Sequence, residues 1–223
     1  HDIWREFGAA TSISRIEFEY SAAQTCNSAP RVPVTGTVNP VPVATATPSS
    51  QTVCSGPITT IVLTSTVPGT TFAWTRDNTV NVTGIAASGS GDISGTLTNT
   101  TSAPITVTFT ITPTANGCTG TPVTVNILVN PTPNAVATPP SQTICSGAAI
   151  TPIVLTGAVS GTTFAWTRDN TATVTGIAAS GTGNISGTLT NTTTLPVTVT
   201  FTITPTANGC VGPSITATVT VQA

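Results

Sequence analysis

The sequence predicts an all-β chain of tandem antiparallel β-sandwiches with one disulfide each, and three observations predict it. The first is an internal repeat. Gly69 to Thr79, GTTFAWTRDNT, returns unchanged at Gly161 to Thr171, Ile93 to Thr101 returns at Ile185 to Thr193, and Thr108 to Cys118 returns at Thr200 to Cys210. The second is short apolar/polar alternation between Gly, Pro and Asn punctuation, with no capped helical periodicity. The third is a pair of cysteines at equivalent places in each copy. Cys54 and Cys145 lie 91 positions apart and Trp74 and Trp166 lie 92 apart, so the second copy carries one extra residue shortly after its first cysteine. A repeat of this length is a whole domain rather than a solenoid turn.

Taken in order, the chain divides into residues 1–42, 43–133 and 134–223. Residues 1–42 hold seven of the twelve charges and match the start of neither repeat. Their second half, from Cys26 through Asn39-Pro40-Val41-Pro42, parallels Cys118 through Asn130-Pro131-Thr132-Pro133. That parallel reads the segment as the C-terminal part of a preceding domain, with Cys26 left unpaired or bonded to another molecule. A second reading makes Ile16, Phe18 and Tyr20, which alternate with Arg15, Glu17 and Glu19, a joining strand donated to a neighbouring molecule. His1, in a chain without Met, is expected to begin a processed or truncated product. The Asn-Pro-x-Pro linkers are expected to be extended and stiff.

Within the first repeat, strands are expected at 60–65, 70–76, 93–98, 105–112 and 123–129. Phe72 and Trp74 share one strand face, as do Phe164 and Trp166, and they are assigned to the core together with Phe109 and Phe201. Ile105, Val107, Phe109 and Ile111 alternate with threonines, and Ala115-Asn116-Gly117 is a hairpin turn into the last strand. About seven short strands per repeat, one core Trp and a disulfide describe a sandwich of immunoglobulin type. The second cysteine follows the hairpin turn instead of sitting in mid-strand, which departs from a true immunoglobulin.

Cysteine equivalence predicts Cys54 bonded to Cys118 and Cys145 to Cys210, each bridge stapling the start of a domain to its final hairpin. No CxxC pair occurs and the one His is terminal, so structural zinc has no ligand set. Disulfides imply an extracellular or cell-surface location.

Charged residues make up only 5% of the chain, and from Val43 onward they are Arg76, Asp77, Asp92, Arg168 and Asp169. Nucleic acid and anionic membrane surfaces need clustered Lys or Arg, and no apolar run reaches a membrane span. Neither partner is expected. Arg76-Asp77 and Arg168-Asp169, the repeated charges, either cap the end of the core and open a turn or make contacts to the next domain or to a surface glycan. Asp92 becomes Asn184 in the second copy, so no carboxylate pair repeats, and no Ser-His-Asp set or D-x-D-x-D-G calcium loop is present. No catalytic residue, metal or cofactor is expected.

SQTVCSG, Trp-Thr, TVTFTITPTANGCTG and a closing VNPTP resemble the PKD-like domains found in tandem in large secreted surface proteins of Bacteroidota, many exported by the type IX system. The resemblance covers residues 43–223, and CNSAPRVPVTGTVNP resembles the end of the related Ig-like type. It implies a spacer, adhesin or enzyme accessory. Low charge and Thr-rich flanks add the expectation of a filament or stalk that associates with like domains, with carbohydrate adhesion or an enzyme spacer as alternatives.

Overall fold

The computed structural model describes residues 35–223. Ile16, Phe18, Tyr20 and Cys26 lie outside the described residues. Every strand pairing among the described residues joins strands of the same repeat. No helix there is long and apolar enough to cross a membrane.

In the first repeat one sheet runs in the order Ser50–Cys54, Val123–Asn130, Ile105–Ala115, Thr71–Arg76, Ser88–Ser90, with Cys118–Thr119 folded back on Ile105–Ala115. The other layer holds Gly56–Pro57, Thr96–Asn99 and Val82–Gly84 in one sheet and Thr45–Thr47 paired with Val62–Thr64 in another. The second repeat follows the same plan, with Ser141–Ile144, Ile215–Val221, Val197–Ala207, Thr163–Arg168 and Ser180–Thr182 in its larger sheet. The opening segment changes layers at Pro48 and at Pro139, each preceded by a cis peptide.

Between the layers lies one apolar cluster per repeat. Ile105–Ala115 explains why these sequences form strands. Val107, Phe109 and Ile111 are fully buried while Thr106 on the other face is exposed, so period-2 alternation places one face in the core. Trp74 meets Phe109 edge-on with centroids 5.7 Å apart, and Trp166 meets Phe201 at the same distance. Phe164 is buried and Phe72 packs half-buried against its cluster. Expected strand 93–98 is shorter in the structure, beginning at Thr96, because Ile93 makes only an isolated bridge to Ile61 and Gly95 takes φ 135°.

One pairing sets the polarity of each sandwich. Ser50–Cys54 runs parallel to Val123–Asn130, with Cys54 opposite Asn130. Cys54 therefore sits where the chain leaves the first repeat. The hairpin turn lies at the other end, where the chain arrives. Its Asn116 and Gly117 have φ of 48° and 78°, and Asn208 and Gly209 have 51° and 76°, the left-handed pair that an Asn-Gly hairpin turn needs.

Candidate functional site at the junction of the repeats

The structure corrects the expected disulfides. Cys54 bonds to Cys210, across the boundary between repeats, while Cys118 and Cys145 are free thiols. The physical reason is the polarity just described. Cys118 follows the hairpin turn at one end of its sandwich and Cys54 ends its strand at the other. Between them lies the length of Val123–Asn130, eight residues, or about 25 Å at strand rise. A disulfide needs Cα atoms within roughly 7 Å, so the bridge expected inside a repeat is geometrically excluded. Cys54 and Cys210 have Cα atoms 5.6 Å apart. The cysteines stand at equivalent places in the two repeats, but the bond relates successive domains rather than the two ends of one.

The linker completes the junction. Asn130 is buried, and its side-chain nitrogen donates to the Asn208 carbonyl at 3.2 Å, in the hairpin turn beside Cys210. Pro131 and Pro133 are buried with it. The Pro133 carbonyl lies over Gly212 so closely that a Cβ there would collide with it. Gly212 in turn donates its amide to the Pro205 carbonyl at 2.9 Å, which fixes the shelf the linker crosses. On the first repeat's side, Ser55 holds the departing strand: its amide and its hydroxyl both donate to the Asn130 carbonyl, at 3.0 and 3.1 Å. Asn-Pro-x-Pro and P-T-A-N-G-C-x-G are thus two halves of one docking arrangement. Both motifs were visible in the sequence, yet nothing in it showed that they meet.

The repeated charges make their hydrogen bonds within their own repeat and do not reach the junction, so of their two readings the structure shows no contact to the next domain. Arg76 is buried and donates from Nε to the Ile85 carbonyl at 2.7 Å and from Nη1 to the Val82 carbonyl at 3.0 Å. Asp77 accepts from the Thr108 amide at 2.7 Å. Arg168 and Asp169 repeat these bonds, to Ile177, Val174 and Thr200. Desolvation lowers the affinity of both guanidiniums for their proton, and the neighbouring Asp77 and Asp169 carboxylates oppose that shift. Each pair ties a loop to its own sheet.

Other polar residues that repeat are likewise structural. Asp92 accepts from the Leu63 amide at 2.9 Å, and Asn184 does the same for Leu155. Asn99, buried, donates to the Val129 and Ala103 carbonyls and accepts from Thr101. Asn191 matches it with Val221, Leu195 and Thr193. Each Asn-Thr-Thr stretch is therefore a turn that anchors the last strand. Beside Trp74 and Trp166 runs a shallow groove, but Gly89 and Gly181 lie against the indole rings, so neither ring offers a stacking platform. Among the described residues no three His, Cys, Asp or Glu side chains gather as a metal set.

The PKD-like domain model matches residues 51–133 and again residues 142–223. No curated protein matches the chain. Among solved structures, the chain is similar to DIP-gamma IG1+IG2 at 8% identity and a TM-score of 0.44, covering 82% of this chain and 97% of that one. Mouse cadherin-23 EC22-24 is similar at 13% identity and a TM-score of 0.43, over 81% of this chain and 66% of its own. Sidekick-1 immunoglobulin domains 1-4 give 12% and 0.38, over 81% and 49%.

Proposed function

Because the chain belongs to the PKD-like domain family, with two tandem immunoglobulin-like sandwiches, we propose that it is a structural spacer of an extracellular or cell-surface protein. It holds its domains at a set distance and orientation and catalyses no reaction. The observation that carries this reading is the Cys54–Cys210 bridge, which joins the end of one sandwich to the start of the next. A free linker would let the domains swing. Here a disulfide, the buried Asn130 and the Pro133–Gly212 contact all oppose it.

An oxidising compartment is what such a bridge requires, which supports an extracytoplasmic location. The low charge of residues 43–223 supports lateral or end-to-end association with like domains, as in a stalk or filament of a secreted bacterial surface protein. Small-angle scattering of the oxidised and the reduced chain tests the spacer reading. The oxidised chain is expected to give one sharp long-distance maximum between domain centres. A distance distribution that is equally broad before and after reduction would contradict it.

A further inference from the structure

The two free cysteines occupy the positions that the bridge uses. Cys145 is the second repeat's counterpart of Cys54, exposed at the end of that sandwich, directly after Ser141–Ile144 pairs with Ile215–Val221. The bed around it is formed as well. The Gln222 amide donates to the Ile144 carbonyl at 2.9 Å, and the Asn191 amide donates to the Ser146 hydroxyl at 3.0 Å, as the Asn99 amide does to Ser55 in the first repeat. Cys118 is the counterpart of Cys210, but it is half-buried where Cys210 is 1% exposed.

An independent observation at the first hairpin shows that it receives an incoming chain in the same way. Asn39 donates from its side chain to the Asn116 carbonyl at 3.0 Å, as Asn130 does to Asn208. The Pro42 carbonyl lies over Gly120, as Pro133 lies over Gly212. Asn39 is nevertheless only half-buried and Pro40 is exposed, whereas Asn130 and Pro131 are buried. The difference at Cys118, Asn39 and Pro40 is the surface that a neighbouring domain covers at the complete junction.

From these correspondences we infer that Cys145 and Cys118 are the two complementary open halves of further junctions of the same kind. Cys145 takes the hairpin cysteine of a following domain of this type, and Cys118 takes the strand-end cysteine of a preceding one. The bridges then form a ladder in which every domain is bonded to its neighbour and none to itself. The inference rests on the spacer reading and names its partner: another PKD-like domain with a P-T-A-N-G-C-x-G hairpin.

Bridge formation needs a disulfide carrier, either a small-molecule disulfide or a disulfide oxidoreductase. The Cys145 thiolate attacks the carrier's S–S bond and expels one carrier thiolate. The hairpin thiolate then attacks the mixed disulfide and expels the second. Two protons leave the protein thiols and two electrons reduce the carrier to two thiols.

The test is a chain in which residues 131–223 follow Gln222 a second time. The appended copy carries Val211→Thr, so that its hairpin peptide differs in mass, and Cys145→Ser. After oxidation by a small-molecule disulfide, non-reducing proteolysis and mass spectrometry should find Cys145 joined to the marked hairpin cysteine and Cys54 to the unmarked one. A second arm mixes the unextended chain with a separate 131–223 segment bearing the same two substitutions. That segment holds all the strands and the whole core cluster of the second repeat, and the same cross-link is expected. Cys145 left open to alkylation in both arms, or joined to any other cysteine, would overturn the inference. If the oxidised chain kept its sharp interdomain distance in that event, the spacer reading would stand and the ladder alone would fall.

Discussion

At the scale of the residue, each sandwich depends on a few side chains that pack or hydrogen-bond in one way only. Trp74 joins the two layers through its edge contact with Phe109. Trp74→Ala should cost about 3 to 5 kcal/mol, with the loss confined to the first repeat. Hydrogen exchange resolved by peptide should show lost protection in Ile105–Ala115 and retained protection in Val197–Ala207. Asp92 and Asn184 illustrate a substitution that the sequence presents as a lost carboxylate and the structure explains as a kept acceptor. Both oxygens accept one backbone amide at 2.9 Å. Asp92→Asn should therefore shift stability by less than about 0.5 kcal/mol, and Asp92→Ala should lose roughly 1 to 3 kcal/mol by leaving the Leu63 amide without that partner, read from denaturant unfolding. The aromatic core was legible because alternation within a strand fixes which side chains share a face. The role of Asn99 was not, since nothing local in Asn-Thr-Thr shows that the distant Val129 carbonyl and the Ala103 carbonyl supply its acceptors.

At the scale of the element, the long hairpin strands were legible to within a few residues, because Ile105 to Thr112 alternates without interruption and Asn116-Gly117 specifies the turn. The opening strand was harder to place. Ser50–Cys54 pairs in parallel with Val123–Asn130, and no local signal distinguishes that pairing from an antiparallel one. Its direction decides where Cys54 lies, and so decides which cysteine it can reach. The motif that closes each hairpin also has an outward task, since Gly212 must lack a side chain for Pro133 to cross it. Gly212→Val should push the linker off its shelf. Expected is faster reduction of Cys54–Cys210 by a fixed concentration of dithiothreitol, with the melting of the first repeat unchanged.

At the scale of the whole molecule, the bridge closes a loop of 156 residues that takes in most of both repeats. It acts on the relation between the sandwiches more than on either alone, because each repeat has its own core and its own sheets. Cys54→Ser is therefore expected to leave the far-ultraviolet spectrum and the cooperative melting of the domains in place, while broadening the interdomain distance seen by scattering. The tandem arrangement was plain from the repeat. The covalent link was not, because a repeat gives every domain the same two cysteines and leaves open whether they pair within a copy or between copies.

Pairing between copies is what the spacer reading depends on, and disulfide mapping of the unreduced chain tests it most directly. Free thiols would be blocked at low pH, the chain digested without reduction, and the linked peptides sequenced by mass spectrometry. A peptide joining Cys54 to Cys210, with Cys118 and Cys145 carrying the blocking group, is the expected result. Peptides joining Cys54 to Cys118 and Cys145 to Cys210 would contradict it, and would return each disulfide to the interior of its own domain.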